Sequence, residues 1–129
     1  MTQRFLGIDY GTKKVGVAMS DESGRVAFPC AVIPNVGDLA EKIQGICIKE
    51  NIGAIVIGES RDFDGNPNPV MKKILPFKKK LEQMLGLPVF LEPEYLTSKQ
   101  ARNIQEGSAM TDASAAAIIL QSYLDKLKK

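Results

Sequence analysis

The chain has 129 residues, of which 44% are apolar and 25% charged, and its formal net charge is +2. That profile is one of an ordinary globular protein long enough for a single core, so one domain is expected. There is no histidine, which excludes Ser–His and Cys–His nucleophile pairs, His-ligated zinc and any histidine general base.

No apolar run approaches the roughly 18 residues of a membrane span, and no signal-peptide pattern opens the sequence, so a cytoplasmic protein without membrane association is expected. Cys30 and Cys47 lie in separate elements without CxxC spacing. They read as small core residues rather than as a zinc or redox motif.

Residues 4–10 and 15–21 read as two short strands, joined by a turn over Gly11 to Lys14. Ser23-Gly24 marks a second turn. Arg25 to Ile33 follows as a third strand whose Pro29 predicts an edge position or a bulge. Asp38 is expected to cap a helix carrying Leu39, Ile43, Ile46 and Cys47 on one face. The β-branched run Ile52 to Gly58 marks a strand buried on both faces, and Glu59 to Pro69 is a polar loop.

Val70, Ile74, Phe77, Leu81, Met84 and Leu85 repeat at helical spacing, with Pro76 predicting a kink or break. Gly86 stops that helix, and Leu87 to Leu91 is the fifth strand. Thr97 and Gln100 form a capping box for a short helix to about Glu106. Gly107 to Met110 is a flexible link. Asp112 begins the last helix, with a stripe of Ala113, Ala116, Leu120, Tyr123 and Leu127. The order βββαβαβαα requires crossovers, so strands one, four and five should be parallel, flanked by the antiparallel second and third.

Asp9 stands inside the first apolar run, where an ionised carboxylate is costly unless a metal ion, a lysine or backbone donors meet it. The element order with an Asp in the first strand resembles the ribonuclease H-like α/β fold, a five-stranded mixed sheet (three antiparallel strands plus two parallel) flanked by helices. Gly7-Ile8-Asp9-Tyr10-Gly11-Thr12-Lys13-Lys14-Val15-Gly16-Val17-Ala18 resembles the opening motif of the YqgF family. Leu87-Pro88-Val89 followed by Glu94-Tyr95-Leu96-Thr97-Ser98 resembles its strand-five region. Asp112-Ala113-Ser114-Ala115-Ala116 through Ile119 to Leu124 resembles its closing helix.

The resemblance implies that residues 1–129 form one ribonuclease H-like nuclease domain, since members are described as Holliday-junction resolvases and as nucleases that mature the 5′ end of 16S ribosomal RNA precursor. It carries a catalytic and metal-binding role onto Asp9, Glu94 and Asp112, with Mg²⁺ or Mn²⁺ as cofactor. The chemistry agrees: two hard cations can activate a water and stabilise the charge built up in phosphodiester hydrolysis, and Mg²⁺ needs only oxygen ligands.

Taken alone, Asp112 stands where an ordinary capping Asp stands, and Glu94 is a solvated loop acid. The family's second motif reads Asp-Glu-Arg before Leu-Thr-Thr, whereas here Pro93-Glu94-Tyr95 precedes Leu96-Thr97-Ser98, and Glu92 lies one residue early. Glu59, at the end of a central strand, is therefore a fourth candidate catalytic acid.

Lys72, Lys73, Lys79 and Lys80 fall outside the apolar face of their helix. Such a run is an ordinary solvated face, and it is also the footprint of a phosphate-backbone binder. Lys72, Lys73, Lys13, Lys14, Arg61 and Arg102 are the candidate nucleic-acid contacts. The partner is then structured RNA (pre-rRNA) or branched DNA, bound by a monomer or a homodimer; a junction resolvase needs a symmetric dimer. Two other function classes stay open. The Gly-Ile-Asp-Tyr-Gly-Thr turn also resembles the phosphate-binding hairpin of sugar kinases and heat-shock ATPases. A non-catalytic RNA-binding domain could also keep the fold with an impaired site.

Overall fold

Short turns between the first three strands allow only antiparallel neighbours, and each later strand is reached through a helix, which allows a parallel one. The computed structural model, which describes residues 3–59, 71–93 and 111–127 (Thr111 and Asp112 by backbone alone), has this arrangement. Its strands are β1 (Arg4–Tyr10), β2 (Lys14–Ser20), β3 (Ala27–Pro34), β4 (Ile52–Glu59) and β5 (Val89–Pro93). Its helices are α1 (Leu39–Lys49), α2 (Met71–Leu85) and α3 (Thr111–Leu127). The sheet order is β3-β2-β1-β4-β5, with β1–β2 and β2–β3 antiparallel and β4 and β5 parallel to β1. The capping box at Thr97 and the short helix after it lie outside the described residues.

Strand alternation divides the core into two layers. Leu6, Ile8, Val17, Ile55 and Ile57 face α1 and α2, where they meet Ile43, Ile74 and Leu81. Phe5, Ala18, Ala54 and Val56 face the other way, against Ala116, Ile119, Leu120 and Leu124 of α3. The β4 run is buried over nearly its whole length, as a strand covered on both faces must be.

Gly7 is the contact point between β1 and α3. A Cβ there would lie 2.7 Å from Leu120 Cβ and 3.0 Å from the carbonyl oxygen of Ala116. The helix therefore rests on the strand backbone itself. Farther along α3, Tyr123 packs on Phe5 with ring centroids 6.0 Å apart. Helix and strand thus run in opposite senses, and the first turn of α3 comes toward the end of β1 that carries Asp9.

Several expectations need correction. Asp38 stands at the start of α1 but makes no side-chain capping bond; its carboxylate instead pairs with Lys42 at 3.6 Å. Helix α2 continues unbroken through Pro76. The proline sits in the second turn and removes only the bond to the Lys72 carbonyl, while Met71, Ile74, Phe77 and Leu81 are buried on both sides of it. Cys47 is buried as expected, but Cys30 is exposed. Val17 pairs with Ala31 and Ala18 with Pro29, so Cys30 is the extra residue of a bulge on the edge strand. The stripe of α3 ends on buried Leu124, whereas Leu127 is 53% exposed because the helix has run past the sheet.

Candidate active site

The β1–β2 turn that follows Asp9 is held by its own backbone and by one outside side chain. A Cβ on Gly11 would collide with the carbonyl oxygen of Lys14, so the turn can close only around a residue without one. Asn35, just past β3, donates its side-chain amide to the Gly11 carbonyl at 2.7 Å and its backbone N–H to the Lys13 carbonyl at 2.9 Å. Lys13 and Lys14 are exposed on this clamped turn.

Asp9 is half-buried near the C-terminal end of the central strand. It is in phase with Phe5 and Gly7, and so belongs to the α3 face of the sheet. Across β2 its partner is Gly16. On the other side Ile8 pairs with Ile57, so the next residues, Asp9 and Gly58, stand level; Gly58 in turn pairs with Glu92 of β5. One row across the sheet therefore reads Gly16, Asp9, Gly58, Glu92, with two carboxylate residues separated by a glycine. Two strand spacings put their Cα atoms roughly 9–10 Å apart.

Glu92 is 3% exposed. Its Oε2 accepts a hydrogen bond from Ser122 Oγ at 2.8 Å and pairs with Lys126 Nζ at 2.8 Å, both from α3. Its charge also helps to raise the phenol pKa of neighbouring Tyr123, behind the larger effect of burial.

Glu59 ends β4 at the same edge of the sheet as Asp9, one position past Gly58 and opposite Pro93. Strand alternation puts it in phase with Ile55 and Ile57, on the α1–α2 side. Asp112 lies in the first turn of α3, four residues before the Ala116 that rests on Gly7. Glu94, Arg61 and Arg102 lie outside the described residues. Lys72 and Lys73 are exposed at the start of α2, and Lys79 and Lys80 are exposed farther along. The single acid of α2, Glu82, is tied to Lys78 at 3.0 Å, while these four lysines are exposed on the same helix.

Among the described residues no group of three acidic, Cys or His side chains comes together as a metal site. The donors available at this end of the sheet are hard oxygens. Cys47 is closed to metal and nucleophile chemistry, since burial pushes its thiol pKa up to about 11. A concavity of about 280 Å³ lies at the opposite edge, lined by Gln3, Arg4, Glu22, Glu50, Asn51 and Gly53. There Arg4 is matched by Glu22 at 3.5 Å and Glu50 at 3.2 Å, which leaves little attraction for a phosphate. In open α/β sheets ligands bind at the carboxyl ends of the strands, and here that is the Asp9 edge.

Over residues 3–126 the sequence matches the RuvX family, described as Holliday junction resolvase. The chain belongs to this RuvX/YqgF family. Its relatives include a protein of Orientia tsutsugamushi (strain Ikeda) named "Putative pre-16S rRNA nuclease", 40% identical and aligned over 98% of this chain and 86% of that one. A protein of the same name from Caldanaerobacter subterraneus subsp. tengcongensis is 36% identical over 97% and 98% of the two chains. The RuvX-family chain also superposes on RuvC of T. thermophilus in complex with a Holliday junction substrate. The TM-score is 0.65 at 17% identity, over 98% and 96% of the chains. The Fowlpox virus resolvase with Holliday junction DNA gives 0.62 at 14% identity, over the full length of both. These two likenesses establish the ribonuclease H-like fold.

Three residues of this candidate site escape a reading of the sequence. Glu92 looks like a loop acid until β5 is extended to Pro93, Asn35 is one polar residue in a turn, and Gly7 is one glycine among eleven. Only the alternation of Phe90 with Glu92 offers a signal. No helix among the described residues is long and apolar enough to cross a membrane.

Proposed function

We propose that this chain is a metal-dependent nuclease that hydrolyses phosphodiester bonds in structured RNA, and that it matures the 5′ end of pre-16S rRNA in the cytoplasm as one nuclease domain over residues 1–129. The observation that carries the reading is the position of Asp9: a carboxylate at the C-terminal end of the central strand, on the face that the first turn of α3 approaches. The names and full-length similarity of the relatives supply the substrate class.

The donor set suits Mg²⁺ or Mn²⁺ and not zinc. It consists of carboxylate oxygens, the chain has no imidazole, and the buried thiol stays protonated. Asp9, Glu94 and Asp112 are the residues that would hold the ions; Glu59, at the same strand edge but in phase with the opposite layer, is the alternative acid. A bound pair of such ions supplies a water of lowered pKa and neutralises charge on the phosphoryl and leaving oxygens. The chain's own part is to hold its carboxylates at a fixed spacing and to seat the phosphate. Lys13 and Lys14 flank the position from the clamped turn. The lysines of α2 track the backbone beyond the scissile bond by charge alone, without reading sequence. Arg61 and Arg102 complete the proposed contact set.

The test is cleavage of a pre-16S rRNA 5′ fragment with Mn²⁺ or Mg²⁺ by wild type and Asp9→Asn. Loss of cleavage with an unchanged melting temperature is expected. Wild-type cleavage by folded Asp9→Asn overturns the proposal. The family's description favours a second reading, cleavage of branched DNA. It requires two sites presented by a symmetric dimer, so paired, symmetric cuts in a four-way junction by a dimer in light scattering would select it.

A further inference from the structure

The sheet-facing stripe of helix α3 is small in its first half. There Ala116 joins the layer of Phe5, Ala18, Ala54 and Val56, and Ala113, three residues earlier on the same side, is buried. Such a surface fixes how near the helix lies but resists sliding and rotation only weakly, because it offers few knobs to interlock. Directional polar ties do resist them, and two are found in the second half of the helix. On one side Gln121 accepts from the Ala27 N–H at 2.9 Å and donates to the Arg25 carbonyl at 2.9 Å, beside the start of β3. On the other side Ser122 and Lys126 hold the Glu92 carboxylate of β5, each at 2.8 Å. The struts reach opposite edges of the sheet.

We propose that Glu92 is a positioning residue: its tie to Ser122 and Lys126 sets the axial position and rotation of α3, and so keeps Asp112 at the Asp9 end of the sheet. This rests on the reading of Asp9 and Asp112 as metal-holding acids. The lever is steep. Asp112 lies ten residues before Ser122, about 15 Å along the helix, and a slip of one residue carries it about 1.5 Å along and 100° around the axis. The same tie fixes the end of β5. Burying a carboxylate is costly unless it is paired and hydrogen-bonded, and both conditions are met here by one helix. Outer groups hydrogen-bonded to metal-holding side chains typically change metal affinity 10–100-fold when removed, and Glu92 acts one step farther out, through the helix, so a smaller loss is expected.

The experiment is Mn²⁺ titration of the full chain, followed by electron paramagnetic resonance, on wild type, Asp9→Asn, Glu92→Gln, Lys126→Met and the Glu92→Gln/Lys126→Met double variant, each with a thermal melt. Glu92→Gln keeps the size of the side chain and an oxygen for Ser122 while removing the charge that holds Lys126. Mn²⁺ affinity is expected to fall severalfold, by up to about 10-fold, in Glu92→Gln. Lys126→Met should fall in the same direction, and the double variant should fall no further than Glu92→Gln. Wild-type Mn²⁺ affinity in Glu92→Gln, even with a lower melting temperature, overturns the proposal by reducing the tie to a structural one. Tighter binding in Lys126→Met overturns it too, since Lys126 would then be masking a ligand. If Asp9→Asn itself binds Mn²⁺ like wild type, the acid-site reading fails instead. Should Glu92→Gln not fold, Lys126→Met alone still decides the outcome.

Discussion

Replacing Gly7 by alanine isolates the seating of α3 on β1. The backbone of Gly7 is not in the left-handed region, so alanine suits its conformation, and the loss of chain freedom in the unfolded state favours the variant by about 0.4–1 kcal/mol. Against this stand two contacts that cannot relax by a side-chain rotation: the new methyl would lie 2.7 Å from Leu120 Cβ and 3.0 Å from the Ala116 carbonyl oxygen. Ordinary carbon–carbon contact begins near 3.5 Å, so helix and strand must part by the better part of an ångström. Overpacking of that kind costs about 1–3 kcal/mol, which leaves a net loss on the order of 1–2 kcal/mol. For a chain of this length 1 kcal/mol corresponds to about 4 °C, so the melting temperature should fall by about 4–8 °C in calorimetry. Adding Leu120→Ala should not relieve the loss, because alanine keeps the clashing Cβ; it should add a cavity cost of about 2–5 kcal/mol. A Gly7→Ala protein that melts with wild type would refute direct backbone seating of α3.

Further outcomes follow from the same geometry. Changing Lys72, Lys73, Lys79 and Lys80 together to glutamine should weaken duplex RNA binding without lowering the melting temperature. The slope of log K against log salt should shrink by roughly 0.9 for each phosphate no longer neutralised; an unchanged slope would make the stripe a solvated face only. Cys47 gives a pH prediction. Its thiol is raised from 9.0 to about 11 in the folded chain. The folded state therefore holds a proton that the unfolded state releases above pH 9, and stability falls as pH rises from 9 to 11. The loss reaches about 2–3 kcal/mol. Chemical denaturation of wild type and Cys47→Ala should show their difference narrowing over that window and no pH dependence of it below pH 8. A thiol reagent should label exposed Cys30 in the native chain and reach Cys47 only on unfolding.

The fold was open to sequence reading because each step rested on local chemistry. Gly11 and Ser23-Gly24 make turns too short for anything but antiparallel neighbours. The β-branched run from Ile52 needs cover on both faces, which the helical spacings around Ile43 and Ile74 supply on one of them and the α3 stripe on the other. Pro29 predicts an edge position or a bulge, and β3 has both. Where expectation failed, a neighbour decided. Burial of Met71 and Phe77 carries α2 through Pro76, and the bulge turns Cys30 outward.

The chain by itself determined its five strands, which of them run parallel, the three described helices, and Asp9 as a carboxylate set into an apolar strand, since turn length, periodicity and the cost of buried charge are all written residue by residue. Tertiary structure alone decided the cross-sheet row from Gly16 through Asp9 and Gly58 to Glu92, the phase of Glu59 with the opposite layer, and the capture of Glu92 by Ser122 and Lys126. These depend on the register between strands and on where a helix comes to rest on a glycine. Such relations join residues far apart in the chain, and no local propensity encodes them.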